Sequence, residues 1–326
     1  MPGVFCVSLD AEFFWGVHDF TTEEQYGRNI IGARNCAIPE MLKLFQKYGI
    51  HATWAFVGGA CAETVNELKC FMPPIDQQPT YQREFLSPYR LVDQMQEDLE
   101  QPSVFLAGKE LKRVGQCPHQ EIGTHTFSHY FCLEPGQTPE QFAADLRSAM
   151  RIAESKKIAI KSIVFPKNQI SKDYLRIASQ LGITSYRGIE KNWIYNSKLP
   201  DLLKRILRFA DAYFPISGHN CHLPEYEEGI CNIRGSRIFK PYLKKLSILE
   251  PLKVIRIKGQ LRYAAKHNRV FHLWWHPHNF GINTANNLKN LEEVLQYYEE
   301  MHSKYGMESL NMSEIQSRCK EVTGRG

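Results

Sequence analysis

The stretch Val4-Phe-Cys-Val-Ser-Leu-Asp-Ala-Glu-Phe13 is a short β-rich apolar run that ends in two carboxylates, Asp10 and Glu12. The same layout recurs along the chain. Glu121–Thr124 runs into His125, Ser162–Phe165 into Pro166, and Val270–Trp275 into His276. Ala52–Val57 and Ile183–Tyr186 read as further strands. Between these runs the apolar residues fall at helical spacing, as at Ile38, Met41, Leu42, Phe45 and Tyr48, closed by Gly49. Thr138-Pro139-Glu140 reads as an N-cap with proline in the first turn, ahead of an apolar stripe from Phe142 to Ala153. A helix is expected around 171–181, and Leu288, Leu291, Leu295 and Tyr298 mark a late one. Such alternation favours a parallel sheet covered by helices. In an α/β barrel the C-terminal strand ends form one rim, so the polar residues that follow each run are expected to meet there.

The rest of the 326-residue chain sets bounds on this picture. A single domain over 1–326 is expected, with a Pro-, Gly- and His-containing basic insertion at about 215–260 and a long loop at 72–90. No segment approaches the roughly 18 uninterrupted apolar residues of a membrane span, and no secretory signal is read at the N-terminus. The nine cysteines are odd in number and scattered, with no Cys-x-x-Cys pair. They read as buried free thiols rather than a disulfide framework or a thiolate metal site. The expected location is therefore the cytoplasm, at or near the inner membrane surface. The net charge of +5 is concentrated in the third quarter, from Lys204 to Arg262. That region is either a solvated basic face or a site for an anionic substrate or phospholipid surface. Nucleic acid is not expected, because no reading module accompanies the charge.

Three elements could carry chemistry. Asp10-x-Glu12 offers one carboxylate for a metal and one for a base, or simply an acidic loop that caps a helix. His125-Thr-Phe-Ser-His129 can aim two imidazoles at one ion, as zinc sites often do, or can be a hydrogen-bonded structural pair. His272-Leu-Trp-Trp-His276-Pro-His278 delivers His276 to a strand end, where it is either a proton donor or a core histidine. His272 and His278 are set aside as structural or supporting residues. Two carboxylates alone would also suit a glycosidase, but that reading leaves the histidine pair unused.

Taken in this order, the three elements resemble the polysaccharide deacetylase family, whose catalytic unit is the NodB-homology domain. The resemblance implies a distorted (β/α) barrel with parallel strands and outer helices. It implies a metal-dependent hydrolase that removes an N-acetyl or other N-acyl group from a sugar. Asp10 would be the general base, Glu12, His125 and His129 the ligands of a divalent metal expected to be zinc, and His276 the catalytic acid. This chain has one residue between the carboxylates and Glu in place of the family's Asp. The family's orienting Arg, two residues before a Pro–aromatic pair, is absent from Val164-Phe165-Pro166-Lys167-Asn168. Lys167, Asn168 or Arg187 would replace it, and Lys167 could offer a backbone N–H to an oxyanion. Trp193 and Trp275 are expected against the substrate, with Trp15 and Trp274 as other candidates for that wall.

The expected partner is an N-acylated sugar, nucleotide- or lipid-linked, and a precursor of a surface glycan. The alternatives are an amidohydrolase of a small non-sugar amide and an inactive carbohydrate-binding homologue. The oligomeric state is not read from the sequence.

Overall fold

The computed structural model describes residues 1–95 and 104–323. Ten strands form one curled sheet: β1 (Val4–Ala11), β2 (Ala52–Phe56), β3 (Gln120–Thr124), β4 (Ser162–Ile163), β5 (Ser185–Tyr186), β6 (Glu225–Glu227), β7 (Ile230–Asn232), β8 (Arg237–Ile238), β9 (Val270–Trp275) and β10 (Glu308–Ser309). Their order is β6-β7-β5-β4-β3-β2-β1-β9-β8, with β10 also paired to β1. Every pairing is parallel except the β6–β7 hairpin. With helices outside, this is a distorted (β/α) barrel.

β1 is an interior strand, third from the β8 edge and flanked by β2 and β9, and is buried along its whole length. Its odd-numbered side chains (Phe5, Val7, Leu9) join the large apolar core. The side chains of Ser8 and Asp10 point the other way and are equally buried, as the two-residue period of a strand requires. β9 follows the same rule: Phe271, Leu273 and Trp275 enter the core, whereas His272, Trp274 and His276 share the opposite face.

The helices form where the sequence pattern places them. Ile38–Lys47 has Pro39 in its first turn and buries Ile38, Met41, Leu42 and Phe45. Pro139–Ser155 opens with a capping box between Thr138 and Gln141 and buries Phe142, Leu146, Ala149 and Ile152. Helices Lys172–Gln180 and Thr284–Tyr305 cover the expected positions.

Two expectations need correction. Residues 72–90 are not a bare loop; they contain two one-turn helices and the start of the short helix Tyr89–Asp93. The segment 215–260 is not an appendage to the sheet either. β7 pairs with β5, β8 pairs with β9, and residues from 250 onward begin the long helix Glu250–His267. Strands of two or three residues are too short to leave an alternation pattern, so the sequence hid them. None of the nine cysteines, all among the described residues, is in a disulfide, but Cys36 and Cys70 are exposed and Cys117 and Cys319 half-buried rather than buried.

Candidate active site

The C-terminal ends of β1, β3, β4, β5 and β9 open on one rim. β1 carries Asp10, and the chain then turns sharply through Glu12 (φ −95°, ψ −17°) and Phe13 (φ 47°) into the turn Phe13–Gly16. That turn folds the Glu12 carboxylate back over Gly16. A Cβ at Gly16 would lie 2.0 Å from the Glu12 Cδ, so only glycine leaves the carboxylate where it is. Gly16→Ala is expected to leave the fold intact yet weaken metal binding by about 10–100-fold, the scale typical of misplaced support around a ligand. Metal titration beside a thermal melt checks this.

β3 delivers His125, whose backbone N–H donates to the Phe56 carbonyl at 2.7 Å. The histidine pair lies on a loop rather than a helix, with Thr126 and His129 at positive φ (63° and 59°). The loop is held from below by the buried Asp145 of helix Pro139–Ser155. Asp145 accepts the N–H groups of Phe127 (2.6 Å) and Ser128 (3.1 Å) and the Ser128 hydroxyl. Burial pushes its carboxyl up to about 6 against the pull of these donors.

The Nε2 atoms of His125 and His129 lie 3.2 and 3.0 Å from the same Glu12 oxygen, Oε2. Burial would raise the Glu12 carboxyl, but His276, His125 and His129 hold it well below its usual range. Burial also takes His129 down to about 4, so the ring is neutral at physiological pH. One ligand atom from each of Glu12, His125 and His129 lies within 4.8 Å of the others, and all three residues are buried. Two imidazole nitrogens and a carboxylate oxygen converging in this way suit zinc or a similar divalent ion.

Arg187 follows β5 and reaches across the rim to Asp10. Its Nη1 and Nη2 donate to Asp10 Oδ1 and Oδ2 at 2.6 and 2.7 Å, a two-pronged contact in a buried setting. Burial opposes ionisation of Asp10, but the Arg187 charge and hydrogen bonds prevail and lower its carboxyl. Nη1 also donates to Ser8 Oγ at 3.1 Å, and Ser8 Oγ lies 2.8 Å from His272 Nε2. His272 Nδ1 faces the Ile233 carbonyl at 3.0 Å, and burial takes this ring down to about 3. The neutral ring therefore keeps its proton on Nδ1, and the Ser8 hydroxyl donates to Nε2. The Trp274 ring lies beneath the guanidinium, 4.1 Å away.

His276 Nε2 stands 3.7 Å from Asp10 Oδ2 and 3.4 Å from Glu12 Oε1. Its Nδ1 lies 3.4 Å from Asn279 Nδ2, and Tyr26 donates its hydroxyl to Asn279. His278 is buried with Nε2 3.8 Å from Glu12 Oε1, and burial takes it down to about 3. The turn Pro277–Gly281 that carries these residues is pressed against helix Glu23–Gly32. A Cβ on Gly281 would fall 1.8 Å from the Asn29 carbonyl oxygen.

Asp10, Glu12, His125, His129 and His276 line one cavity of about 460 Å³, together with Lys167, Asn168 and Arg187. Lys167 (φ 51°) pairs with Asp19 and sits 4.3 Å above the Phe131 ring, while Asn168 lies 3.4 Å from Arg187. Two expected substrate contacts fall elsewhere. Trp275 is core, stacked on Phe280, because its odd position points it away from the rim; Trp274 lines the cavity in its place. Trp193 is half exposed, with its indole N–H on the Ile216 carbonyl, and does not line the cavity. Trp15 is also buried core.

Four of the nine cations between residues 234 and 262 are paired with carboxylates within 3.6 Å among the described residues. Arg237 and Arg256 meet Asp211, Lys253 meets Glu250, and Arg234 meets Glu225. A second groove of about 720 Å³, with Arg205, Arg208 and Lys240 on its walls, adjoins the cavity at Asn168 and Trp274.

The family model for polysaccharide deacetylase matches residues 27–186. The match covers just under half of the chain and marks a likeness to the polysaccharide deacetylase family. The match spans the His125–His129 loop but neither Asp10 and Glu12 nor His276, which lie outside it. A protein from Mycobacterium smegmatis assigned as a polysaccharide deacetylase is 9% identical, with a TM-score of 0.61 over 99% of this chain and 92% of that one. One from Pseudomonas aeruginosa PAO1 gives 10% identity and 0.55 over 98% and 92%. An allantoinase gives 10% and 0.57 over 100% and 93%. At these identities the likeness is one of fold. No curated protein sequence matches the chain.

Sequence reasoning missed Asn279 and Tyr26, set His278 aside as a structural or supporting residue, and ranked Trp274 behind Trp275 for the substrate wall. The strand parity that Trp274 shares with His276 reverses that ranking. His278 sits two residues beyond His276, but that spacing alone does not separate a cavity wall from core. Tyr26 gave no signal.

Proposed function

We propose that the chain is a metal-dependent hydrolase that removes an N-acyl group from a sugar. The observation that carries this reading is Asp10, clamped by Arg187, set beside the Glu12–His125–His129 cluster with His276 across from it. Glu12, His125 and His129 would hold the ion. Bound there, a divalent ion supplies a polarised acyl carbonyl and a water acidic enough to attack at neutral pH. Asp10, held ionised by Arg187, takes the proton from that water. Arg187 is a positioning residue: its two bonds fix which carboxylate oxygen faces the substrate. His276, with its Nε2 toward the carboxylates, hands a proton to the departing amine. Trp274 and the aliphatic part of Lys167 would flank the acyl group and sugar ring.

The cavity volume lies within the range of small-molecule sites. The basic groove beside it favours a sugar with an attached phosphate, as in a nucleotide- or lipid-linked precursor of a surface glycan. The test is release of acetate from a panel of N-acetylated sugars, free, polymeric and phosphate-linked, by metal-loaded protein. Release from a small cyclic amide with none from any sugar would replace this reading with the amidohydrolase one.

A pH prediction follows from the Asp10–Arg187 contact. A base works only when ionised, so activity falls as pH drops through its pKa in the folded protein. Arg187 lowers that pKa, and removing it leaves burial to raise it. In Arg187→Met the acid limb of the kcat/KM profile should therefore move to higher pH. Arg187→Lys keeps the charge but loses the paired geometry, and should shift it less.

A further inference from the structure

Helix Asp201–Ala210 inverts the arrangement found in the helices that cover the sheet. None of its residues is buried. Leu202, Ile206 and Phe209 form an i, i+4, i+7 stripe that is 69%, 55% and 39% exposed, with Leu203 beside it at 39%. Lys204 and Arg208 lie on the other side of the same two turns, and Arg205 flanks the stripe one turn before Phe209. Helix Ile38–Lys47, with a comparable stripe, buries it in the core. The exposed face does not stand alone. Ile189, Trp193 and Phe214 are 41%, 51% and 48% exposed, so seven of the sixteen exposed large apolar side chains among the described residues fall between 189 and 214.

The helix is anchored firmly at one end. Asp211, just past its last turn, accepts from Arg237 Nη2 (2.8 Å) and from the N–H and Oγ of Ser217 (both 2.7 Å). Arg237 Nη1 also donates to the Asp211 carbonyl at 2.8 Å. A buried ion pair thus fixes the helix, while Leu202, Ile206 and Phe209 stay exposed along the open groove of about 720 Å³. Lys240 Nζ lies 5.3 Å above the Phe209 ring and adds a cation at the edge of the stripe.

We infer that this helix and its flanking aromatics dock the protein on an anionic phospholipid surface, with the apolar stripe in the headgroup–acyl boundary and the lysines and arginines on lipid phosphates. An amphipathic helix with a strong apolar face and a basic polar face is suited to lie in such an interface. Long basic side chains can run their stems along the apolar layer and keep their charges at the headgroups. Trp193 belongs to the residue type that favours that depth. Charge decides against the main rival, a second copy of the chain. A twofold contact through the stripe would bring Arg205, on its flank one turn before Phe209, against its own equivalent. The inference does not depend on the hydrolytic chemistry, since none of these residues is a proposed ligand, base or acid; Arg205 and Arg208 also line the groove proposed for the substrate's phosphate, so vesicle binding is read separately from turnover.

The test is flotation of the full chain with vesicles of phosphatidylcholine alone and with roughly 30% phosphatidylglycerol, at low and high salt. Binding is expected to be about tenfold or more stronger to the anionic vesicles and to weaken with salt. Leu202→Glu/Ile206→Glu and Lys204→Glu/Arg205→Glu should each reduce it by about tenfold, with unchanged circular dichroism and melting because the side chains are largely outside the core. Asp10→Asn should bind like the parent. No binding, equal binding to neutral vesicles, or binding undiminished in both variants would overturn the proposal. So would a concentration-dependent dimer that Leu202→Glu/Ile206→Glu dissolves.

Discussion

Asp10→Asn is expected to lower kcat for acyl release by about 10²–10⁴-fold, the range that a positioned base contributes. The metal content should stay that of the parent, because Asp10 is outside the Glu12–His125–His129 cluster. The loss has two physical parts. The amide cannot accept the proton of the attacking water at neutral pH. It also places an NH₂ where Asp10 presents a second acceptor to Arg187, so one of the two guanidinium bonds, at 2.6 and 2.7 Å, must go. Metal analysis alongside single-turnover kinetics separates this outcome from simple loss of the ion. Retained activity in Asp10→Asn would remove the base assignment.

Loss of the ion should have an effect of similar size by a different route. Chelation, or His129→Ala, is expected to abolish turnover, and the variant should bind the divalent ion at least about 10²-fold more weakly. Stability provides an independent readout. An ion present at about 100 times its Kd stabilises the folded state by about 2.7 kcal/mol, if the unfolded chain does not bind it. The melting temperature of the parent should therefore rise with added zinc, while that of His129→Ala should barely move. Acidification works against binding, because each ligand must be deprotonated. Burial lowers His129 to about 4, so this ligand competes with protons only in acid. A parent protein whose melting ignores every divalent ion would remove the metal from the reading.

Most of the barrel was legible because its longer strands are strong apolar runs and each ends on a polar residue. The gathering of Asp10, Glu12, His125, His129 and His276 on one rim followed from that pattern and from parallel pairing. Arg187 was one of three residues offered for the missing arginine, and only the register of β5 beside β4 shows that it reaches Asp10. Trp275 went astray for a simple reason. Adjacent tryptophans on a strand face opposite ways, so His276 should have drawn attention to Trp274. The loop around His129 was not legible as such, since its left-handed turns at Thr126 and His129 depend on Asp145, a helix residue with no sequence mark of that role. In the basic third quarter the sequence does not reveal which charges are already paired, as Arg237, Lys253 and Arg256 are with Asp211 and Glu250.

The interior place of β1 also bears on how the protein is made. Leu9 pairs with Trp54 on one side and with Trp275 on the other. The first neighbour leaves the ribosome soon after β1. The second requires some 220 further residues, about 10–45 s of synthesis at ordinary elongation rates. During that interval the most apolar strand has one edge open, which is the kind of exposure that leads nascent chains to aggregate. Soluble yield in a heterologous host should therefore depend on holdase chaperones and slow induction. The proposed site shares this timing: Asp10 and Glu12 emerge well before His276, so no catalytic competence precedes the synthesis of β9 and the turn that follows it.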